Sequence, residues 1–227
     1  MRIIAGKYKN KLLSNIKNVD GLRPTTDKNR QMIFNIISSE KFLNNCNLSL
    51  SNANIADLCC GTGAIAFEAL SRFAKTATLI DISYKNLLLS KKNAKILDCQ
   101  DNCNFMLCDV ANIDYNDVFF DILFLDPPYD ANYIKILKSL IIKKWLKIGS
   151  VLIIEMTKYN QDFIEKKYHK YLVNNKIFKN NFESVQEALF LGINQHLQKE
   201  LNTENIAIKI IDIRLSGDSL LLFSKIK

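Results

Sequence analysis

From residue 53 onward the chain repeats one unit, an apolar run followed by a turn and a stretch with helical spacing. "ANIADL", "TATLIDI", "NFMLCDV", "FFDILFLD" and "SVLIIEM" read as strands. Between them "GAIAFEALSRFA", "SYKNLLLSKKNAKIL" and "ANYIKILKSLIIKKWLK" read as helices, the second opened by Ser83 and the third closing at Gly149. Apolar strands that alternate with helices need cover on both faces, which a doubly wound, mostly parallel α/β sheet supplies. Two later runs, "IAIKIIDIRL" and "SLLLFSKI", meet at Ser-Gly-Asp and predict an antiparallel C-terminal hairpin. Before it, Leu189, Ile193, Leu197 and Leu201 are spaced as one face of an additional helix, inside an insertion near 157–204.

Upstream of the sheet, "RIIAGKYKNKLL" alternates apolar and basic residues around a glycine turn and predicts a hairpin. "RPTTDKNRQMIFNIISSEKFL" opens with helix-capping residues and carries Met32, Ile33, Ile36 and Ile37, which suits one capped helix; a polar link from Asn44 to Asn54 follows. The expected division is therefore a small basic hairpin-and-helix unit over 1–50 and an α/β domain over 51–227. The start lacks the apolar core and cleavage site of a signal peptide, and no run reaches the 18 apolar residues of a membrane span. Six cysteines without a C-x-x-C, and two histidines (His169, His196) far from them in sequence, point to reduced cytoplasmic thiols and no metal site.

The net charge of +8 is concentrated, because residues 1–30 hold eight basic groups against two acidic ones, leaving +6 there. A phosphate-facing N-terminal arm and a merely solvated, lysine-rich edge both fit that distribution. Lysine outnumbers arginine 26 to 5, so the few arginines (Arg2, Arg23, Arg30, Arg72, Arg214) mark positions where a planar fork of donors matters more than charge.

"DLCCGTGAIA" follows the first sheet strand and opens a helix. Its glycines let a ligand approach the backbone closely, and Asp81 stands twenty positions after Gly61, as in a dinucleotide site. A nicotinamide-dependent oxidoreductase therefore stays open. Asp57 argues against it: a carboxylate beside the loop repels pyrophosphate but suits a cationic ligand such as S-adenosylmethionine. Asp57, Asp81, Asp109 and Asp126 all lie at strand ends, so they are expected to ring one crevice.

The fourth strand ends in Asp126-Pro127-Pro128-Tyr129. With proline at ~5% of residues, a chance match to [D/N/S]-P-P-[Y/F/W] is on the order of one in a hundred for such a chain. Paired prolines stiffen the turn and cannot donate backbone hydrogen bonds. A planar exocyclic amine can then give one N–H to Asp126 and the other to the Pro127 carbonyl, with its base stacked on Tyr129.

Together these residues resemble the class I S-adenosylmethionine-dependent amino-methyltransferases. More narrowly, "MRIIAGKYKNKLL", "GLRPTTDKNRQMIFNII", "DLCCGTGAIAFEALSR" and "FLDPPYD" are similar, in order and spacing, to the bacterial 16S rRNA guanine-N2 methyltransferases of the RsmD type. The resemblance implies a Rossmann-like methyltransferase sheet and methylation of a guanine N2 in 16S rRNA, of the guanine-966 type. It places Asp57, Gly61, Thr62 and Gly63 around the methionine part of S-adenosylmethionine, and Asp81, Ile82, Asp109 and Val110 around its adenosine. Asp126, Pro127, Pro128 and Tyr129 would hold the target amine, and Arg2, Lys7, Arg23, Thr25 and Arg30 would belong to the RNA-facing side. The implied protein is a cytoplasmic monomer that meets 16S rRNA within the small subunit or an assembly intermediate. A DNA adenine-N6 methyltransferase and a non-catalytic RNA-binding assembly factor are the alternatives. The chain departs from the family pattern at Gln31, usually glutamate, at "LSGD" near the C-terminus, and in some thirty extra residues before the final hairpin.

Overall fold

The computed structural model describes residues 1–14, 26–160, 182–201 and 206–227. Its strands are β1 (Asn54–Leu58), β2 (Thr76–Asp81), β3 (Cys103–Leu107), β4 (Ile122–Leu125), β5 (Val151–Thr157), β6 (Ile208–Ser216) and β7 (Ser219–Ile226). They form one sheet in the order β3-β2-β1-β4-β5-β7-β6. β1 to β5 pair in parallel, and β7 runs antiparallel to both β5 and β6. The chain leaves β1 toward β2 and β3 on one side, then returns to lay β4 against β1 on the other. That reversal opens a crevice at the carboxyl ends of β1 and β4, where ligands of such sheets bind.

Helices cover both faces: α1 (Asp27–Ile37), α2 (Glu40–Cys46), α3 (Ala64–Ser71), α4 (Tyr84–Leu97), α5 (Tyr133–Ile142) and α6 (Phe182–Leu201). The period-2 alternation of β4 divides the core between them. Ile122 and Phe124 pack with Ile33, Phe34, Phe67 and Leu87 of α1, α3 and α4, while Leu123 and Leu125 pack with Tyr133, Leu137, Ile193 and Leu197 of α5 and α6. Ile193, Leu197 and Leu201 are buried as their spacing predicts; Leu189 lies outside the residues whose side chains are described.

Three local differences from the sequence reading have simple causes. The single helix expected after Pro24 is two, because the Ser39 hydroxyl accepts the Phe42 N–H and starts α2 afresh. α5 stops at Ile142 because Lys144 turns into the left-handed region (φ +59). The Trp145 N–H then bonds Leu140 O at 2.8 Å, and its ring stacks on Phe120 with centroids 5.3 Å apart. The N-terminal hairpin is reduced to one antiparallel bridge, Arg2 to Leu12, flanked by bonds between Ile3 and Lys11 and between Leu13 and Met1.

This arm gains its stability from docking rather than from its own pairing. Gly6 (φ +82) lies so close to the end of α3 that a Cβ there would sit 1.9 Å from Ser71 O. Lys7 N–H bonds Ser71 O at 2.8 Å, and Tyr8 N–H bonds Ser71 Oγ at 2.9 Å. Ile3, Tyr8 and Leu13 are buried in the same core as α3 and β1. Among the described residues, no helix is long and apolar enough to cross a membrane.

Candidate active site

The glycine loop between β1 and α3 is built from left-handed residues. Cys59 (φ +73), Gly61 (φ +53) and Gly63 (φ +77) fold it back on itself, and Gly63 N–H closes the turn on Cys60 O at 2.7 Å. Asp57, at the end of β1, is buried, and one oxygen accepts the Ala66 N–H in the first turn of α3 at 3.1 Å. Desolvation raises its pKa to about 7; the Ala66 bond opposes the rise and the nearby Asp81 charge adds to it.

Asp81 holds the loop from the β2 side. Its carboxylate accepts the Gly61 N–H and the Ser83 N–H, both at 2.8 Å, and the Asn86 amide at 3.1 and 3.2 Å. α4 fastens the same loop, since Ser90 Oγ donates to Gly61 O at 2.8 Å and Asn93 Nδ2 to Thr62 O at 3.0 Å. Asn93 also accepts the Ser14 N–H at 2.7 Å, so one buried amide ties the N-terminal arm to the loop. The Thr62 hydroxyl points to Met1 Sδ, 3.6 Å away.

Beside Asp81, Ile82 is 71% exposed. Beyond β3, Asp109 caps a short turn by accepting the Ala111 N–H and the Asn112 amide, with Val110 buried beneath. A ring of carboxylates around a buried acid that has no ion pair among the described residues, with an exposed apolar side chain alongside, fits a cationic adenosyl ligand. A pyrophosphate would bring like charge against Asp57 and Asp81.

The Asp126-Pro127-Pro128-Tyr129 turn leaves β4 in the same crevice. The Asp126 N–H extends the β1 ladder to Leu58 O at 3.4 Å, and the Ala131 N–H bonds Pro128 O at 2.9 Å. The fully buried Tyr133 hydroxyl donates toward the Pro127 carbonyl (3.5 Å) and the Glu155 carbonyl (3.2 Å), binding the turn to β5. Burial moves the Tyr133 pKa upward, so this hydroxyl stays a donor. Tyr129 is 39% exposed, and its hydroxyl lies 3.4 Å from Ser219 Oγ at the start of β7.

Of the residues expected on the RNA-facing side, Arg2 and Lys7 are exposed, and Lys7 and Lys11 hold their ammonium groups 4.7 and 5.3 Å from the Tyr8 ring centre. Arg23 and Thr25 lie outside the described residues. Arg30 is not on the surface. Its guanidinium is fully buried and donates to Arg2 O at 2.7 Å and Asp27 Oδ1 at 2.8 Å, which makes it an internal brace for the arm. Burial outweighs the attraction of Asp27 and Glu68 and lowers its pKa.

The sequence reading missed Glu68, Ser90, Asn93, Tyr133 and Glu155. Glu68 and Glu155 carried a usable signal, a single carboxylate inside an otherwise apolar run ("AIAFEAL", "VLIIEM"). Such a residue is buried only when something bonds it. Ser90 and Asn93 sit in an ordinary helical pattern, and only the fold brings them to the loop.

A family model described as "Conserved hypothetical protein 95" matches residues 1–187. The chain belongs to this family. Among curated relatives, the "Uncharacterized methylase RP545" of Rickettsia prowazekii is 30% identical over 87% of this chain and 100% of its own length. The "Ribosomal RNA small subunit methyltransferase D" of Buchnera aphidicola from Acyrthosiphon pisum is 32% identical over 74% of this chain and 84% of its own. Among solved structures, Escherichia coli yhhF superposes with a TM-score of 0.63 at 21% identity, covering 99% of this chain and 97% of that one. A Methanococcus maripaludis chain described as an S-adenosyl-L-methionine-dependent methyltransferase superposes at 0.52 with 13% identity, over 92% and 97%. The sheet of this family member is that of the class I methyltransferases, as its sequence led one to expect.

Proposed function

We propose that this protein transfers the methyl group of S-adenosylmethionine to the exocyclic N2 of a guanine in 16S ribosomal RNA, within the small subunit or an assembly intermediate. The observation that carries the reading is the position of the Asp126–Tyr129 turn, which leaves β4 beside the glycine loop at the point where the strand order reverses. The names of curated relatives supply the substrate class.

Asp57 and the Gly61–Gly63 backbone would receive the methionine end, and Asp57 would ionise fully as an ammonium group replaces its lost solvation. Asp81 would take ribose hydroxyls in place of its two long bonds from Asn86. Ile82 and Val110 would flank the adenine, with Asp109 near its amine. Bound S-adenosylmethionine supplies an activated methyl group on a positively charged sulfur.

The target base must leave its stack to enter the crevice. Tyr129 offers a partly exposed ring for it to lie against. Asp126 accepts one amine N–H. The Pro127 carbonyl accepts the other, since the long Tyr133 bond leaves it a free lone pair. Held at both protons, the nitrogen keeps its lone pair toward the methyl donor. As the carbon–nitrogen bond forms and the carbon–sulfur bond breaks, the Asp126 carboxylate stabilises the positive charge that grows on nitrogen, and the surplus amine proton leaves through it to water. The exposed Arg2 and Lys7 meet phosphates outside the crevice.

Nucleoside mass spectrometry after incubation with labelled S-adenosylmethionine tests the proposal, using unmethylated small ribosomal subunits and DNA as separate substrates. Label in N2-methylguanosine is expected. Label in N6-methyladenine of DNA, or in neither substrate, overturns it.

A further inference from the structure

One carboxyl beside the crevice has no part in the steps above. Leu125 of β4 pairs with Ile154 of β5, so the next step in register sets Glu155 beside Asp126. Ile153 packs in the core beneath α1, α3 and α4, and Glu155, two residues on, projects to the same face. There its Oε1 accepts the Asn29 side-chain amide of α1 at 2.8 Å. Both residues are more than nine-tenths buried.

The other oxygen, Oε2, is buried and has no hydrogen-bond partner among the described residues. Burial raises the Glu155 pKa, and the Ser219 hydroxyl and Asn29 amide oppose the rise; Ser219 makes no bond of normal geometry to Oε2. That hydroxyl is also 3.4 Å from Tyr129 Oη, at the outer limit of a hydrogen bond. Meanwhile the Tyr133 hydroxyl locks the Glu155 backbone to Pro127. A buried acceptor left without a donor is costly, and it persists where another molecule brings the donor.

The chemistry of the missing donor follows from what lies alongside. In guanine the ring atom next to the N2 amine, N1, carries a hydrogen. In adenine the ring atom next to the N6 amine is a bare acceptor. A guanine N1–H given to Oε2 favours the ionised carboxylate, which only accepts. Placed next to the group that grips the amine, it bonds guanine N1–H and repels the adenine lone pair.

We propose that Glu155 is a specificity-determining residue that accepts the N1–H of the target guanine, its Oε2 uncovered when the weak Tyr129–Ser219 contact opens, with Asn29 fixing the carboxylate from the other side. The inference rests on the function proposed above and deepens it: the tetrapeptide grips an amine, and Glu155 reads which base carries it.

The test uses 2-aminopurine, which keeps the methyl-accepting amine of guanine but has no hydrogen on N1. Small subunits are reconstituted with guanine or 2-aminopurine at the nucleotide the wild-type protein methylates. Wild-type kcat/KM is expected to fall on the order of 100-fold with 2-aminopurine, the scale for leaving a buried charged acceptor unpaired. Glu155→Gln, whose amide can donate to the bare N1, is expected to narrow that ratio at least tenfold, with S-adenosylhomocysteine affinity unchanged. Equal wild-type rates on the two substrates overturn the assignment without needing any variant, and so does an unchanged ratio in a folded Glu155→Gln. Absence of methyl transfer to either subunit overturns the proposed function, and this inference with it.

Discussion

Glu68, on α3, accepts the backbone N–H of Ile4 at 2.7 Å and of Ala5 at 3.0 Å, across more than sixty residues of chain. Its side chain is fully buried, and Arg72 closes the cluster with a 2.8 Å ion pair. One carboxylate therefore holds the arm against the sheet. Glu68→Ala strands two amide donors and a guanidinium. We expect a loss of about 3–5 kcal/mol of stability, the scale for removing one partner of a buried pair. Hydrogen exchange resolved along the chain should show the arm amides deprotected before the sheet.

Asp57 makes stability depend on pH in a definite direction. Its folded pKa of about 7 exceeds the ordinary carboxylate value, so the native state binds the proton more tightly than the unfolded chain. Its contribution to stability is complete below the unfolded pKa and is lost as pH rises through 7, by up to about 1.4 kcal/mol per pH unit. Asp57→Asn keeps an acceptor for the Ala66 N–H but cannot ionise. Between pH 5 and 8 the variant should gain stability relative to wild type in the absence of ligand. It should also lose affinity for S-adenosylmethionine. Thermal melts across that range, with and without the ligand, give both results.

In the proposed mechanism, Asp126→Ala removes the group that grips the target amine. Turnover should fall on the order of 100-fold or more, the scale for losing a principal electrostatic group. Because the proposal puts Asp126 on the base-binding side, S-adenosylhomocysteine affinity by calorimetry should change little. Near-normal turnover would remove Asp126 from the mechanism.

Tyr133→Phe deletes the hydroxyl that joins Pro127 O to Glu155 O while preserving the ring that packs in the core between α5 and the sheet. A stability loss of about 1 kcal/mol is expected for the lost bond. A looser proline turn should lower kcat more than it raises KM for the RNA, which steady-state kinetics will separate.

Charge reversal on the arm addresses the substrate face. Arg2 and Lys7 are exposed, so Arg2→Glu with Lys7→Glu should lower the melting temperature only by the small cost of the Lys7–Tyr8 contact. The salt dependence of RNA binding should lose about 0.7–0.9 in slope for each phosphate contact removed. An unaltered slope would place the RNA elsewhere.

The doubly wound sheet was legible because its strands are short apolar runs with helices between, a pattern few other layer arrangements satisfy. The crevice was legible for the same reason: acids at successive strand ends must come together wherever the strand order reverses. What escaped was fixed by tertiary contact alone. Nothing local in "RPTTDKNR" distinguishes an arginine that faces phosphate from one that braces a backbone. Arg30 turned inward because Arg2 O and Asp27 are both within its reach. The split after Ile37 was missed because two serines in a row look polar and helical alike until one of them caps.

The docking of the arm also orders events in time. Residues 1–14 leave the ribosome before their anchors Glu68, Ser71 and Asn93, which lie 63 to 79 residues further along. The arm therefore waits, basic and unpaired, until the first strand–helix–strand–helix segment has been made. It settles only once α3 and α4 are made, so a nascent chain acquires this basic face no earlier than the glycine loop that α4 fastens.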